Sequence, residues 1–210
     1  MSLLTKLFNF VLFITAKYNI DESHGMSHSM NVLHNAHNIY ENEVTINPFL
    51  VSQEKIIMVS AVLHDLCDKK YMDETEGIYM IEEFLEDKME KYEIDITKQI
   101  ISTMSYSTVK KNGFPKLGLY QHAYHIVREA DLLDAYDFDR CMIYNIHKLN
   151  GNIEHAYIDA YRLFQNRVFK HRDDGLLITH YSIKQSNILE TNALNRIDTW
   201  RKILNKPILQ

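Results

Sequence analysis

Four side chains of the 210-residue sequence have the types and spacing to close around one divalent cation: His28, the adjacent His64 and Asp65, and Asp131. Two imidazoles and two carboxylates suit a borderline metal such as Mn²⁺, Fe²⁺ or Zn²⁺, and a set without thiolates argues against a purely structural zinc. Adjacent residues on a helix point about 100° apart. His64 and Asp65 can therefore both lean towards a metal over one edge of their helix, with two other helices supplying His28 and Asp131. Asp68 lies one turn beyond His64, and Asp134 stands to Asp131 as Asp68 does to Asp65. By spacing, these carboxylates can orient the imidazoles, hold an attacking water or act as general base, or they are plain helix-surface acids.

The elements that must position these residues read as helices. A first is expected over Leu3 to Lys17. Met26, Met30, Leu33, Ala36 and Ile39 recur at helical spacing, which predicts a second over Gly25 to Glu41, with Asp21, Glu22 and Ser23 as cap-type residues and His28 near its start. Ser52 reads as the N-cap of a third helix, with Lys55 where a capping box would want Glu, and Ile56, Val59, Leu63 and Leu66 mark it as the carrier of His64 and Asp65. Further helices are expected over Asp73 to Lys91, around Ile96 to Met104, over Tyr120 to Ala135 with Asp131, over Ile153 to Lys170 and over Leu176 to Leu204. No stretch alternates convincingly as a strand.

Composition agrees. With 46% hydrophobic residues, 24% charged residues, 6 Gly and 3 Pro, the chain suits long helices better than a turn-rich sheet protein. The expectation is an all-α single domain over residues 1–210, with about seven to nine helices. A net charge of −5 without a lysine-arginine cluster argues against duplex nucleic acid as partner. The apolar stretch Phe8 to Thr15 is far shorter than the about 20 residues of a membrane span and lacks a signal-peptide cleavage pattern. A cytoplasmic protein without membrane partner, monomer or homodimer, is expected, with Cys67 and Cys141 as buried free thiols.

The words around the ligands carry a resemblance. VLHDLCDKKY is similar to the signature of the HD-domain metal-dependent phosphohydrolases, DESHGMSHSMNV to that superfamily's opening stretch, and IVREADLLDAYDFDR to its closing word. IISTMSYS, between the second and last words, resembles the small single-domain bacterial branch. The match covers residues 20–140 well and the C-terminal third loosely. It implies an HD-type helical bundle holding one divalent metal, Mn²⁺ in first place and Fe²⁺, Mg²⁺ or Zn²⁺ next, on His28, His64, Asp65 and Asp131. It also implies hydrolysis of nucleotides or related small phosphate esters, foremost as a nucleoside triphosphate pyrophosphohydrolase. The alternatives are a 5′-nucleotidase, an alarmone hydrolase, or a catalytically degenerate protein that binds metal and nucleotide.

Within that reading Asp68 is the general base or water-positioning group, Asp134 supports the site from behind, and Lys70 and Arg128 contact phosphate. His24 becomes a residue at the site's edge that meets phosphate; by spacing alone it is a capping or surface residue or, as the least favoured reading, the i, i+4 partner of His28. Gly25, Asn31 and Leu132 stand where the branch has Asp, Arg and Arg, so either other cations, with Lys70, Arg128 and Lys69 nearest in sequence, replace two phosphate donors, or substrate binding is altered. Binuclear members carry further histidines before the last Asp. Here none occurs from Leu66 through Gln121, and His122 and His125 fall on other faces of the helix of Asp131, so one metal is expected.

Overall fold

The computed structural model describes residues 1–206, and every regular element among them is helical. The chain parts into two compact units, Met1–Asp131 and Leu132–Gln210. The first contains α1 (Leu3–Tyr18), α2 (Met26–Glu43), α3 (Glu54–Leu63), α4 (Glu74–Leu85), α5 (Lys91–Thr103), α6 (Tyr106–Asn112) and most of α7 (Gln121–Asp134). The second contains α8 (Phe138–Lys148), α9 (Ile153–Asn166) and α10 (His180–Leu204). No helix among the described residues is long and apolar enough to cross a membrane.

A helix that is apolar all round has to be central. In α3, Ile56, Ile57, Val59, Ser60, Ala61, Val62 and Leu63 are all buried, and α1, α2 and α5 pack against it. The helices around it are amphipathic: α2 buries Val32, Ala36 and Ile39, α5 buries Ile94, Ile100 and Ile101, and α1 buries Leu7, Val11 and Ile14. Side chains then tie α7 to α2. His122 Nε2 lies 3.0 Å from Glu43 Oε2, and Asn35 Nδ2 donates to the Ala130 carbonyl at 3.1 Å. One partner's number falls as the other's rises, so the two helices run antiparallel. The second bond holds the residue immediately before Asp131.

In the second unit α8 packs against α9, and α10 lies against both. Phe138, Met142, Ala156, Ala160, Phe164, Ala193 and Ile197 form its core.

The ten α-helices among the described residues exceed the seven to nine expected. α6 has only 7 residues, too few to display a period, whereas α8 buries Phe138, Met142 and Asn145 at helical spacing behind an Asp137 N-cap and was legible. Ser52 does not cap α3: its hydroxyl donates to the Phe49 carbonyl within a 3-10 turn, and Lys55 pairs with Glu93 at 2.6 Å. The capping box lies at Glu90 and Glu93, where it starts α5 and cuts the long helix expected to reach Lys91. The last helix starts at His180, after a Thr179 side-chain cap, and not at Leu176.

Gly77 lets α4 approach the segment that follows α3. A Cβ at that position would lie 2.6 Å from Cys67 Cβ and 2.8 Å from its Cα, distances no neighbouring backbone can accept. Gly77→Ala is expected to destabilise the protein by about 1–3 kcal/mol, read as a lower midpoint in urea denaturation; an unchanged midpoint would show that α4 does not need this close approach.

Candidate metal centre

The sequence places His64 and Asp65 within a helix, but α3 ends at Leu63, His64 forms its C-cap and Asp65 follows in a turn. The cause is local. His64 Nδ1 lies 2.9 Å from the Ala61 carbonyl, which in a continuing helix would accept the amide of Asp65. Tighter turns follow, Leu66 N donating to Leu63 O at 3.1 Å and Asp68 N to Asp65 O at 3.2 Å. A carbonyl can only accept, so Nδ1 of His64 carries a hydrogen and Nε2 faces the cluster.

Donor atoms of four residues converge there. His28 Nε2, in the first turn of α2, lies 3.0 Å from His64 Nε2, 3.1 Å from Asp65 Oδ2 and 3.5 Å from Asp131 Oδ1. His64 Nε2 is 3.5 Å from Asp65 Oδ1 and 3.7 Å from Asp131 Oδ1. Ligands bound at about 2.1 Å in tetrahedral or octahedral geometry stand roughly 3.0–3.4 Å apart. His28, His64 and Asp65 stand close enough together to share one small divalent ion, while Asp131 Oδ1, at 3.5 and 3.7 Å from the two imidazoles, stands somewhat wider than that ligand spacing.

The electrostatics favour a cation. Burial opposes the charging of Asp65 and Asp131, yet His64 and His28 outweigh it and hold both carboxyls below the usual carboxylate range. Burial likewise opposes protonation of His64, but Asp65 and Asp131 raise its pKa to about 9. The imidazoles are buried, while the carboxylates remain 19% and 24% exposed, so the cluster opens to solvent on its acidic side.

A second group borders it. The His24 ring lies 6.1 Å from that of His28 and 5.6 Å from that of Tyr71. Lys70 Nζ lies 3.2 Å from His24 Nε2 and 3.1 Å from Asp68 Oδ2, and the Lys70 amide donates to Asp68 Oδ1 at 2.9 Å. The structure thus brings His24, Asp68 and Lys70 together. Asp21 is bound at both carboxylate oxygens, by Ser23 Oγ at 2.5 Å on Oδ1 and by Tyr71 Oη at 2.7 Å on Oδ2. Burial alone would raise its pKa, but these bonds and the Ser23 amide lower it.

Arg128 does not join this group. It is 2% exposed, its Nη2 lies 3.2 Å from Glu129 Oε1, and its guanidinium sits 4.8 Å from the Phe114 ring centre. Asp134 is also buried and is engaged by Arg140 Nε at 3.3 Å. His122 pairs with Glu43, and His125 lies 3.2 Å from Gln121 Nε2 with its pKa lowered to about 4 by burial and Arg128.

Asp21, Ser23 and Tyr71 escape sequence reasoning as partners of His24, since Asp21 and Ser23 read as helix caps and Tyr71 lies fifty positions beyond Asp21. Glu129 and Asn35 carried no signal at all. Comparison with family models, curated proteins and solved structures returned no match.

Cys67 and Cys141 are free thiols. Burial, with Glu74, Asp65 and Asp68 adding to it, pushes Cys67 up to about 12, and burial pushes Cys141 up to about 11. A raised thiol pKa means less thiolate at pH 8. Alkylation by iodoacetamide at that pH, followed by mass spectrometry, is expected to run at least about tenfold slower at both thiols in the folded than in the unfolded protein; equal rates would contradict the enclosed setting of Cys67 beside Asp65.

Proposed function

We propose that this chain is a divalent-metal-dependent phosphohydrolase acting on nucleotides or related small phosphate esters, foremost a nucleoside triphosphate pyrophosphohydrolase. The observation that carries the reading is the convergence of His28, His64, Asp65 and Asp131 on one point open to solvent on its acidic side. The similarity of the surrounding words to HD-domain enzymes supplies the reaction class. Mn²⁺ is the first candidate for a ligand set of two His and two Asp. When bound, the ion supplies Lewis-acid activation of a phosphoryl oxygen and of the attacking water.

The chain's own residues divide the remaining work. His64 is kept in one tautomer by the Ala61 carbonyl, so its Nε2 needs no reorientation to act as a ligand. Asn35 steadies the backbone at Ala130 and so the position of Asp131. Asp68 is proposed to receive the proton of the attacking water. Lys70, with its side chain 48% exposed, is the phosphate contact, in preference to Arg128, which is buried against Glu129.

The test is product analysis on a panel of ribo- and deoxynucleotides with Mn²⁺, beside calorimetric metal titration. One Mn²⁺ per chain and pyrophosphate release from triphosphates are expected, with Asp65→Ala losing both metal binding and about 100-fold or more of the turnover. Phosphate release from monophosphates would move the substrate to nucleotidase type. Bound metal without turnover would favour the binding-protein alternative, which the Asn31 and Leu132 departures also suggest. Asp68→Asn is expected to lower kcat by about 10²–10⁴ with metal content intact; loss of metal would instead make Asp68 a ligand or a scaffold.

A further inference from the structure

Hydrogen-bond accounting around His24 fixes a feature that spacing cannot show. Ser23 and Tyr71 have one hydroxyl hydrogen each. Ser23 Oγ gives its hydrogen to Asp21 Oδ1 and Tyr71 Oη gives its own to Asp21 Oδ2, so both oxygens of one carboxylate are occupied. The same two hydroxyl oxygens stand 2.7 Å and 3.1 Å from His24 Nδ1. With their hydrogens directed at Asp21, they can only accept there, so Nδ1 must be the donor. In the neutral ring Nε2 then carries the lone pair, and Lys70 Nζ, an obligate donor, lies 3.2 Å from it. Every step is consistent in sign, from the carboxylate to the ammonium.

We infer that Asp21, acting through Ser23 and Tyr71, is a positioning residue that holds His24 as its Nδ1–H tautomer, so that His24 Nε2 and Asp68 together fix the Lys70 ammonium as the phosphate-receiving cation beside the metal cluster. The identity of the ligand rests on the phosphohydrolase reading; the tautomer and the anchoring of Lys70 do not. The arrangement answers a specific need. A lysine has a flexible stem and a point charge, without the rigid fork of an arginine. His24 Nε2 and Asp68, both in contact with Nζ, provide the orientation that a guanidinium carries within itself, while the half-exposed side chain keeps the charge within reach of an incoming anion.

The chain of bonds also predicts how it fails. In Asp21→Asn the side-chain amide can donate, so one of the two hydroxyls accepts from it and turns its own hydrogen to His24 Nδ1. The ring then moves to the Nε2–H form, and a donor faces the ammonium.

The test has two readouts. Long-range ¹H–¹⁵N spectra of histidine-labelled, metal-free protein, with the His24 signals assigned from His24→Gln, should show the Nδ1–H tautomer in the wild type and a shift towards Nε2–H in Asp21→Asn. Calorimetric titration of Mn²⁺-loaded protein with inorganic phosphate should show Kd raised about tenfold in Lys70→Met and in Asp21→Asn, and about threefold in Tyr71→Phe, with Mn²⁺ affinity unchanged in each. Tyr71→Phe keeps the question open to measurement if Asp21→Asn does not fold. A wild-type His24 in the Nε2–H form, or phosphate affinity unaltered in Lys70→Met, overturns the inference. Failure of the wild type to take up Mn²⁺ would instead sink the metalloenzyme reading, and the tautomer measurement would then decide the positioning role by itself.

Discussion

Two carboxylates and two imidazoles meet at the C-terminal end of a helix that is buried on every side, and the organisation of the first unit follows from what that meeting costs. Asp65 and Asp131 repel each other and lose hydration, so positive charge has to be gathered beside them. The carbonyl end of α3 adds partial negative charge at the same place. Without a metal the requirement falls on the imidazoles, which is why His64 takes a proton so readily. A divalent ion would meet the same requirement with the donors already in place.

The packing serves this point. α3 is apolar all round because it must be central, and because it is central its end is a fixed place from which His64 and Asp65 can be presented. His28 comes from the first turn of the neighbouring α2, where the helix has just begun and a side chain can still reach across. Asp131 comes from α7, whose register against α2 is set by the Glu43–His122 pair and by the bond of Asn35 to Ala130. Gly77 allows α4 to close on the segment just after Asp65. The contacts of α7 with α2 join elements far apart in sequence, and each of these contacts acts on a candidate ligand through backbone rather than by touching it.

That division explains what the sequence could and could not convey. Helical patterning revealed the α class and placed α1, α2, α3, α4, α5, α7, α9 and α10, since burial of one face leaves a trace at every third or fourth residue. The four candidate ligands were legible by type and by order, and the structure draws them together. The end of α3 was misplaced because Leu66 continues the apolar period although the helix has stopped; the His64 side chain, not the hydrophobic pattern, takes the carbonyl that would have carried it on. Asp21 and Ser23 looked like caps because cap residues and loop hydrogen-bond acceptors are the same residue types. Only the arrival of Tyr71, fifty positions later, distinguishes the two uses. Arg128 illustrates the converse: one turn before Asp131 it reads as a cation at the site, yet its neighbour Glu129 is fully buried and claims it.

The departures at Asn31 and Leu132 acquire a physical meaning from these placements. Leu132 is buried and Asn31 is exposed, so neither offers charge to an anion. An arginine brings a planar fork that binds two phosphate oxygens at once, whereas a lysine must be oriented by its surroundings. Lys70 is so oriented, between His24 and Asp68, and the carboxylate that restrains it also reduces the net charge it presents. A single restrained ammonium favours selection by position over strength of attraction. On the proposed phosphohydrolase reading, such a site would depend more heavily on a bound metal to hold phosphate oxygens than one lined by guanidinium groups, which would tie substrate binding to occupancy of the His28, His64, Asp65 and Asp131 cluster.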